Sequence, residues 1–187
     1  MTWSIVSPPT VEPISLEVAK LHLRVDWTVE DDLILALVAA ARTHVEVVCE
    51  RALMPQTWAE RTDGFTDRIE LRGGVVSAID SITYVDGDGV QQSIDPSTCV
   101  VDLTAQPAVL MAPFGTRWPI ARQQPGSVVV TYRVGYADAE SVPAPIKSAI
   151  LLYVGDLYTN RANQQEAQLF KNTAAQSLLW PWRRVMP

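Results

Sequence analysis

Apolar positions recur at two different periods along this chain. Across residues 28–52, Ile34, Leu37, Val38, Ala41, Val45, Val48 and Ala52 return at three- and four-residue steps, while Asp31, Arg42, Glu46 and Glu50 fall elsewhere on the wheel. That spacing predicts a long amphipathic helix. Leu33, Leu35 and Val47 widen its apolar surface beyond one stripe. Thr28 followed by Asp31 and Asp32 resembles a helix start, the hydroxyl accepting from free amides and the acids favouring the positive end of the dipole. Pro55 is expected to end the element. A shorter helix is predicted over residues 15–24, capped by Ser15, with Leu16, Ala19 and Leu23 on one side. A third follows Pro143 and Pro145, where Ile146, Ala149, Ile150, Tyr153, Val154 and Leu157 form a helical stripe.

Between residues 56 and 136 the period changes to two and turn residues multiply. Ile79, Ile82, Tyr84 and Val85 make one arm of a hairpin, Asp86-Gly87-Asp88-Gly89 its turn, and residues 90–94 the return. Further strands are predicted at 98–103, 109–112 and 127–134; the last is β-branched enough to be central. The expected fold is therefore α+β: helical N- and C-terminal blocks packed together, with an inserted antiparallel β subdomain. The boundaries read as 1–55 for the first helical block, 56–136 for the β insertion, 137–161 for the helix completing the helical core, and 162–187 for an extended docking tail.

Composition narrows the function. The chain has 187 residues, 48% hydrophobic, enough to bury a real core. Its formal net charge of −6 argues against general affinity for nucleic acid, which needs clustered Lys and Arg. The charge is uneven: residues 1–156 hold 11 basic and 20 acidic residues, whereas 157–187 hold Arg161, Lys171, Arg183 and Arg184 against Glu166 alone. A basic tail on an acidic body suggests a segment that docks elsewhere. The longest apolar run, residues 33–41, falls short of the roughly 20 residues a membrane span needs, and no signal peptide is evident. Cys49 and Cys99 belong to no C-x-x-C pair and are expected to be buried thiols in a reducing cell.

The residues offer little chemistry. No phosphate-binding, dinucleotide, zinc-protease or nucleophile-elbow motif occurs, so no catalytic residue, cofactor or metal is assigned. The Asp86–Gly89 run departs from a calcium loop, which would place Val90 and Ser97 where ligands belong. His44 lies five residues before Cys49, about 140° round a helix, and is poorly aligned for a Cys–His pair. A small hydrolase would need Asp80, Asp86 or Asp95 to converge in a deep pocket, and a carbohydrate-binding module would use Trp118 with aromatics on one strand face. Trp180 and Trp182 stand beside Arg183 and Arg184 in the otherwise polar tail. Trp and Arg dominate binding hot spots. The alternative is that the tail folds back and buries both rings.

The order of landmarks resembles the head–tail connector (adaptor) proteins of long-tailed bacteriophages and gene transfer agents, in the branch with a β-rich insertion. They are "SLEVAKLHLRV", "EDDLILALVAAARTHVE", "IELRGGVVSAIDSITYVDGDG", a "WP" loop, "GSVVVTYRVGY" and "VPAPIKSAILLYVGDLYTNR", over roughly residues 14–161. The "YENR"-like ending of that family stands here as Tyr158-Thr159-Asn160-Arg161. The resemblance implies a non-enzymatic virion subunit, made in the host bacterial cytoplasm, that forms a ring, usually twelvefold, under the portal protein. Such a ring continues the channel through which double-stranded DNA passes without specific binding, and meets the stopper or tail-completion protein; no membrane is involved. Portal docking would fall to Trp180, Trp182, Arg183, Arg184 and Arg161, and subunit contact to Leu33, Leu35, Val47 and Trp27. A stopper or tail-completion protein of the same junction is the alternative.

Overall fold

A computed structural model describes residues 2–160 and 172–183. The chain divides into two compact units, Met1–Thr10 with Pro55–Tyr136 and Val11–Met54 with Ala137–Pro187. The first is a β unit and the second is helical, which gives the α+β class expected from the two periods.

In the helical unit, α1 (Leu16–Leu23) starts at Ser15, whose Oγ accepts from the Val18 amide at 3.3 Å, and stops at Arg24 in the left-handed region. The long helix α2 (Asp31–Cys49) buries Ile34, Val38, Ala41, Val45 and Cys49 along one face. Arg42, expected off the apolar stripe, is buried too, its charge met by Glu12 at 2.8 Å and Glu46 at 2.5 Å. Such a group is tolerated only because both carboxylates reach it. The helix begins later than Thr28 suggested. Glu30 takes the cap position without a side-chain cap bond, while the Thr28 carbonyl, not its hydroxyl, accepts from the Asp31 amide at 3.2 Å. It also ends before Pro55: Glu50 adopts a left-handed conformation and its amide closes on the Glu46 and Val47 carbonyls. Ala52 is buried beyond the helix rather than on it.

The third helix, α3 (Ala144–Thr159), carries Pro145 in its first turn and buries Ile146, Ala149, Ile150 and Val154. It packs against α2, with the His44 and Tyr153 rings edge to face at 4.7 Å. A short fourth helix, α4 (Thr173–Leu179), lies on α3. No described helix is long and apolar enough to cross a membrane.

The β unit contains a five-stranded sheet built from β1 (Thr2–Ser7), β2 (Gln56–Thr62), β4 (Val76–Val85), β5 (Gln91–Ile94) and β8 (Val128–Val134), in the order β1-β2-β8-β4-β5 with every neighbour antiparallel. A smaller sheet of β3 (Ile69–Leu71), β6 (Val100–Asp102) and β7 (Ala108–Met111) runs β3-β7-β6. The β-branched run at 128–134 is the central strand, as its composition suggested. Asp86 closes the β4–β5 hairpin: its Oδ1 accepts from the Asp88 and Val90 amides and its Oδ2 from Gln92, so its pKa is held below the usual carboxylate range, first by Gln92.

One face of the large sheet is the core of this unit, with Trp58, Glu60, Ile82, Val130 and Tyr132 buried. Glu60 is compensated there by the Tyr132 hydroxyl at 3.5 Å and the Arg72 guanidinium at 3.9 Å. Gly73, at φ +99°, lets the chain press on this face: a Cβ there would stand 2.7 Å from Val134 and 2.8 Å from Trp58. Strand β1 was not legible within the expected helical block. It is an edge strand with all six residues exposed, and its Trp3 stacks on Trp58 at 4.4 Å. Cys49 is buried as expected, but Cys99 is only half-buried, because it follows the turn at Pro96–Thr98 near the margin of the small sheet.

Candidate functional site

The surfaces that matter lie on the helical unit. At its C-terminal side, Asn172 caps α4 by accepting from the Ala175 amide at 2.9 Å and donates to Asp156 of α3 at 2.7 Å. Ala175 and Leu179 are the buried residues of α4. This part of the tail, expected to be extended, is thus a helix followed by a 3-10 turn, Trp180–Trp182. The reason is local: two apolar positions four residues apart give a seven-residue segment one buried face, and an Asn cap starts it.

The turn carries two of the five residues singled out for docking, Trp180 and Trp182, and Arg183 follows it directly. Arg51 anchors it by donating to the Trp182 carbonyl at 3.3 Å. Trp182 is half-buried, whereas Trp180 remains 67% exposed with the Arg183 guanidinium 5.7 Å from its ring centre. Fold-back and display therefore coexist: the helix buries its own Ala175 and Leu179, and the segment presents the Trp–Arg pair outward. Arg161 and Arg184 lie outside the described residues. Behind the turn, Cys49 is pushed up to about 11 by burial, partly offset by the charges of Arg51 and Arg183.

The second surface is the uncovered side of α2. Leu33, Leu35 and Val47 are all exposed, Val47 at 69%. Trp27 is exposed too, but its ring is oriented: Nε1 donates to Glu30 at 3.1 Å, and the Tyr158 hydroxyl donates to the same carboxylate at 2.6 Å. Trp27 and the end of α3 are thereby tied to one point at the start of α2. Sequence reasoning missed Val29, 91% exposed beside this cluster. Its signal was present, an apolar residue between a Thr and a Glu ahead of a helix, but a single residue outside the periodic stripe carries no directional information.

The carboxylates of the hydrolase alternative do not converge. Asp80 pairs with Arg133 at 2.9 Å, Asp86 is consumed by its hairpin, and Asp95 caps the following turn through the Ser97 amide at 2.9 Å. A cavity of about 330 Å³ at one end of the large sheet is lined by Arg61, Thr83, Gln91 and Ser127 among others, and none of the three carboxylates enters it. Trp118 stacks on Phe65 at 4.7 Å, with Phe65 edge to face on Tyr84. The tryptophan fixes a loop instead of lying on an open strand face.

Residues 13–103 match the phage gp6-like head-tail connector protein family. A stretch of 42 residues is 38% identical to the head completion protein gp6 of Enterobacteria phage HK97, which is 22% of this chain and 39% of that protein. The chain thus spans well under half the length of that curated relative. In fold, the whole chain is similar to 97% of a chain in the virion of a native gene transfer agent particle, with TM-score 0.81 at 19% identity. It is likewise similar to chains in the neck of an empty particle with C6 symmetry, TM-score 0.81 at 18% identity, and in the neck of a native particle with C12 symmetry, TM-score 0.75 at 18% identity. At these identities the likeness speaks to fold. The connector resemblance read from the order of sequence landmarks and the family match rest on overlapping residues.

Proposed function

We propose that this protein is a structural adaptor subunit of the head–tail junction of a phage-type particle, forming a ring that extends the DNA channel. The match of residues 13–103 to the gp6-like connector family carries this reading. The geometry agrees with it. A ring subunit needs apolar surface that its own fold leaves uncovered, and α2 supplies Leu33, Leu35 and Val47. An acidic chain of formal charge −6 lets DNA pass without gripping it. Twelve copies are the number to test, given the C12 neck of the similar particle.

The portal is the upper partner, met by Trp180 and Arg183, with Trp182 and the residues around Arg161 and Arg184 contributing; the stopper or tail-completion protein is the lower one. The protein is made in the host cytoplasm and ends in the virion. The test is co-purification with the portal protein of the same genome, using Trp180→Ala with Arg183→Ala. Deleting residues 162–187 is the poorer variant, because it also uncovers the α3 surface under Ala175 and Leu179. Capture by the portal that drops at least tenfold in the double variant supports the reading. No capture of the unaltered chain shifts it to a stopper or tail-completion role.

A further inference from the structure

The most exposed large apolar side chains of the β unit sit in one loop, residues 112–126, between β7 and β8. Phe114 is 95% exposed and Ile120 is 87% exposed. The loop is nevertheless well fastened. Thr116 closes a turn onto the Pro113 carbonyl through its amide at 3.0 Å and its hydroxyl at 2.8 Å, with Gly115 at φ +76°. Trp118 is stacked on Phe65, and the Arg122 amide donates to the Val85 carbonyl of β4 at 2.8 Å. Three fixings within seven residues hold the backbone while the two apolar side chains stay outside. An ordered loop that displays Phe and Ile has the composition and stiffness of a protein-binding element, since little freedom is lost on docking.

Charge says what kind of surface it fits. The loop holds Arg117 and Arg122 and no carboxylate. Neither arginine has an ion-pair partner among the described residues. The matching surface is apolar with acidic flanks, and this chain, net −6, owns one. On α2, Leu35, Ala39, Thr43 and Val47 follow one another at four-residue steps and so form a single ridge. The Thr43 hydroxyl is turned back onto the Ala39 carbonyl at 2.8 Å, which leaves its methyl as the presented group. Asp32 in the first turn of α2 and Glu50 at its C-cap, both exposed, stand at the two ends of the ridge.

We propose that the 112–126 loop is a finger that seats Phe114 and Ile120 on the Leu35–Val47 ridge of a second copy of this chain, with Arg117 meeting an acidic flank. The proposal rests on the ring-forming reading above and adds its contact. Finger and ridge are different surfaces, so a contact made once per pair runs head to tail and closes into a ring, whereas a reciprocal exchange would stop at a two-fold dimer; the mass of the assembly tells the two apart.

The test uses the full chain, alone and co-expressed with its portal, with ring mass read by native mass spectrometry. Phe114→Asp with Ile120→Asp is expected to cut the ring population at least tenfold while circular dichroism and melting temperature stay unchanged. Independently, a Cys99→Ser chain carrying Ile120→Cys, mixed with one carrying Val47→Cys, is expected to give a mixed cross-linked dimer with a short bis-maleimide, and neither chain alone to match its yield. Rings that persist in the Asp variant, or form without that cross-link, overturn the finger contact and leave the adaptor reading standing. An unaltered chain that forms no ring under either condition overturns both.

Discussion

The two units of this protein leave apolar surface uncovered in different ways. In the β unit the most exposed apolar residues are marginal, on the edge strand β1, the β4–β5 turn at Val90 and the 112–126 loop, with Val100 and Met111 less exposed on the small sheet, while the central strand β8 buries Val128, Val130, Tyr132 and Val134 in strict alternation. In the helical unit the same helix that builds the core also displays Leu33, Leu35 and Val47. The difference follows from geometry. A strand paired on both sides has two faces and can commit one entirely, whereas a helix presents a full circle, of which its neighbours cover only part. A helical unit with few members is therefore unfinished by construction, and a sheet is unfinished only at its ends.

The contrast predicts where substitutions act. The largest effect is expected on the covered side of α2: Ile34→Ala should cost about 2–5 kcal/mol, read from urea unfolding by far-UV circular dichroism. In the β unit, Gly73→Ala should cost about 1–3 kcal/mol through overpacking against Val134 and Trp58, with added strain at positive φ, and should first perturb the near-UV signal of the stacked Trp3–Trp58 pair. If both substitutions moved both signals in step, the units would unfold as one and the contrast would concern surface only. Ser15→Ala should remove about 1 kcal/mol by uncapping α1. Val47→Ser, on the bare side of α2, should change stability by less than about 0.5 kcal/mol yet reduce ring formation, and a larger stability loss would mean that the residue is already part of a core.

The thiols give the subtlest test. Cys99 should react with maleimide in the native protein, and Cys49 only after unfolding. The folded pKa of Cys49, about 11, lies above its ordinary value of 9.0, so folding favours the protonated thiol. Its contribution to stability is complete below the ordinary value and is lost as pH rises from there through about 11. Cys49→Ala should flatten that part of the alkaline unfolding curve.

The helices, the hairpin and the central strand were legible because each rests on several residues repeating one period. What escaped rests on single contacts. Strand β1 lacks a buried face, so Trp3, Ile5 and Val6 give no alternation to read. The α2 start moved from Thr28 because capping preference is a local bias of about 1 kcal/mol that neighbouring contacts, here Trp27 and Tyr158 on Glu30, override. The Trp180–Arg183 pair was visible as composition, but its support by Ala175, Leu179 and Arg51 joins segments far apart in sequence, and no periodicity reports that.

Strand β1 is followed by the whole of residues 11–54 before its partner β2 appears. During synthesis the first strand therefore waits, unpaired, while two helices are made, and the sheet cannot close until the ribosome has passed Thr62. The central strand, which pairs with both β2 and β4, emerges later still. At the usual pace of about 5–20 residues per second, the interval from β1 to β8 lasts on the order of ten seconds. Order of emergence thus gives α1 and α2 a head start over the sheet that began before them.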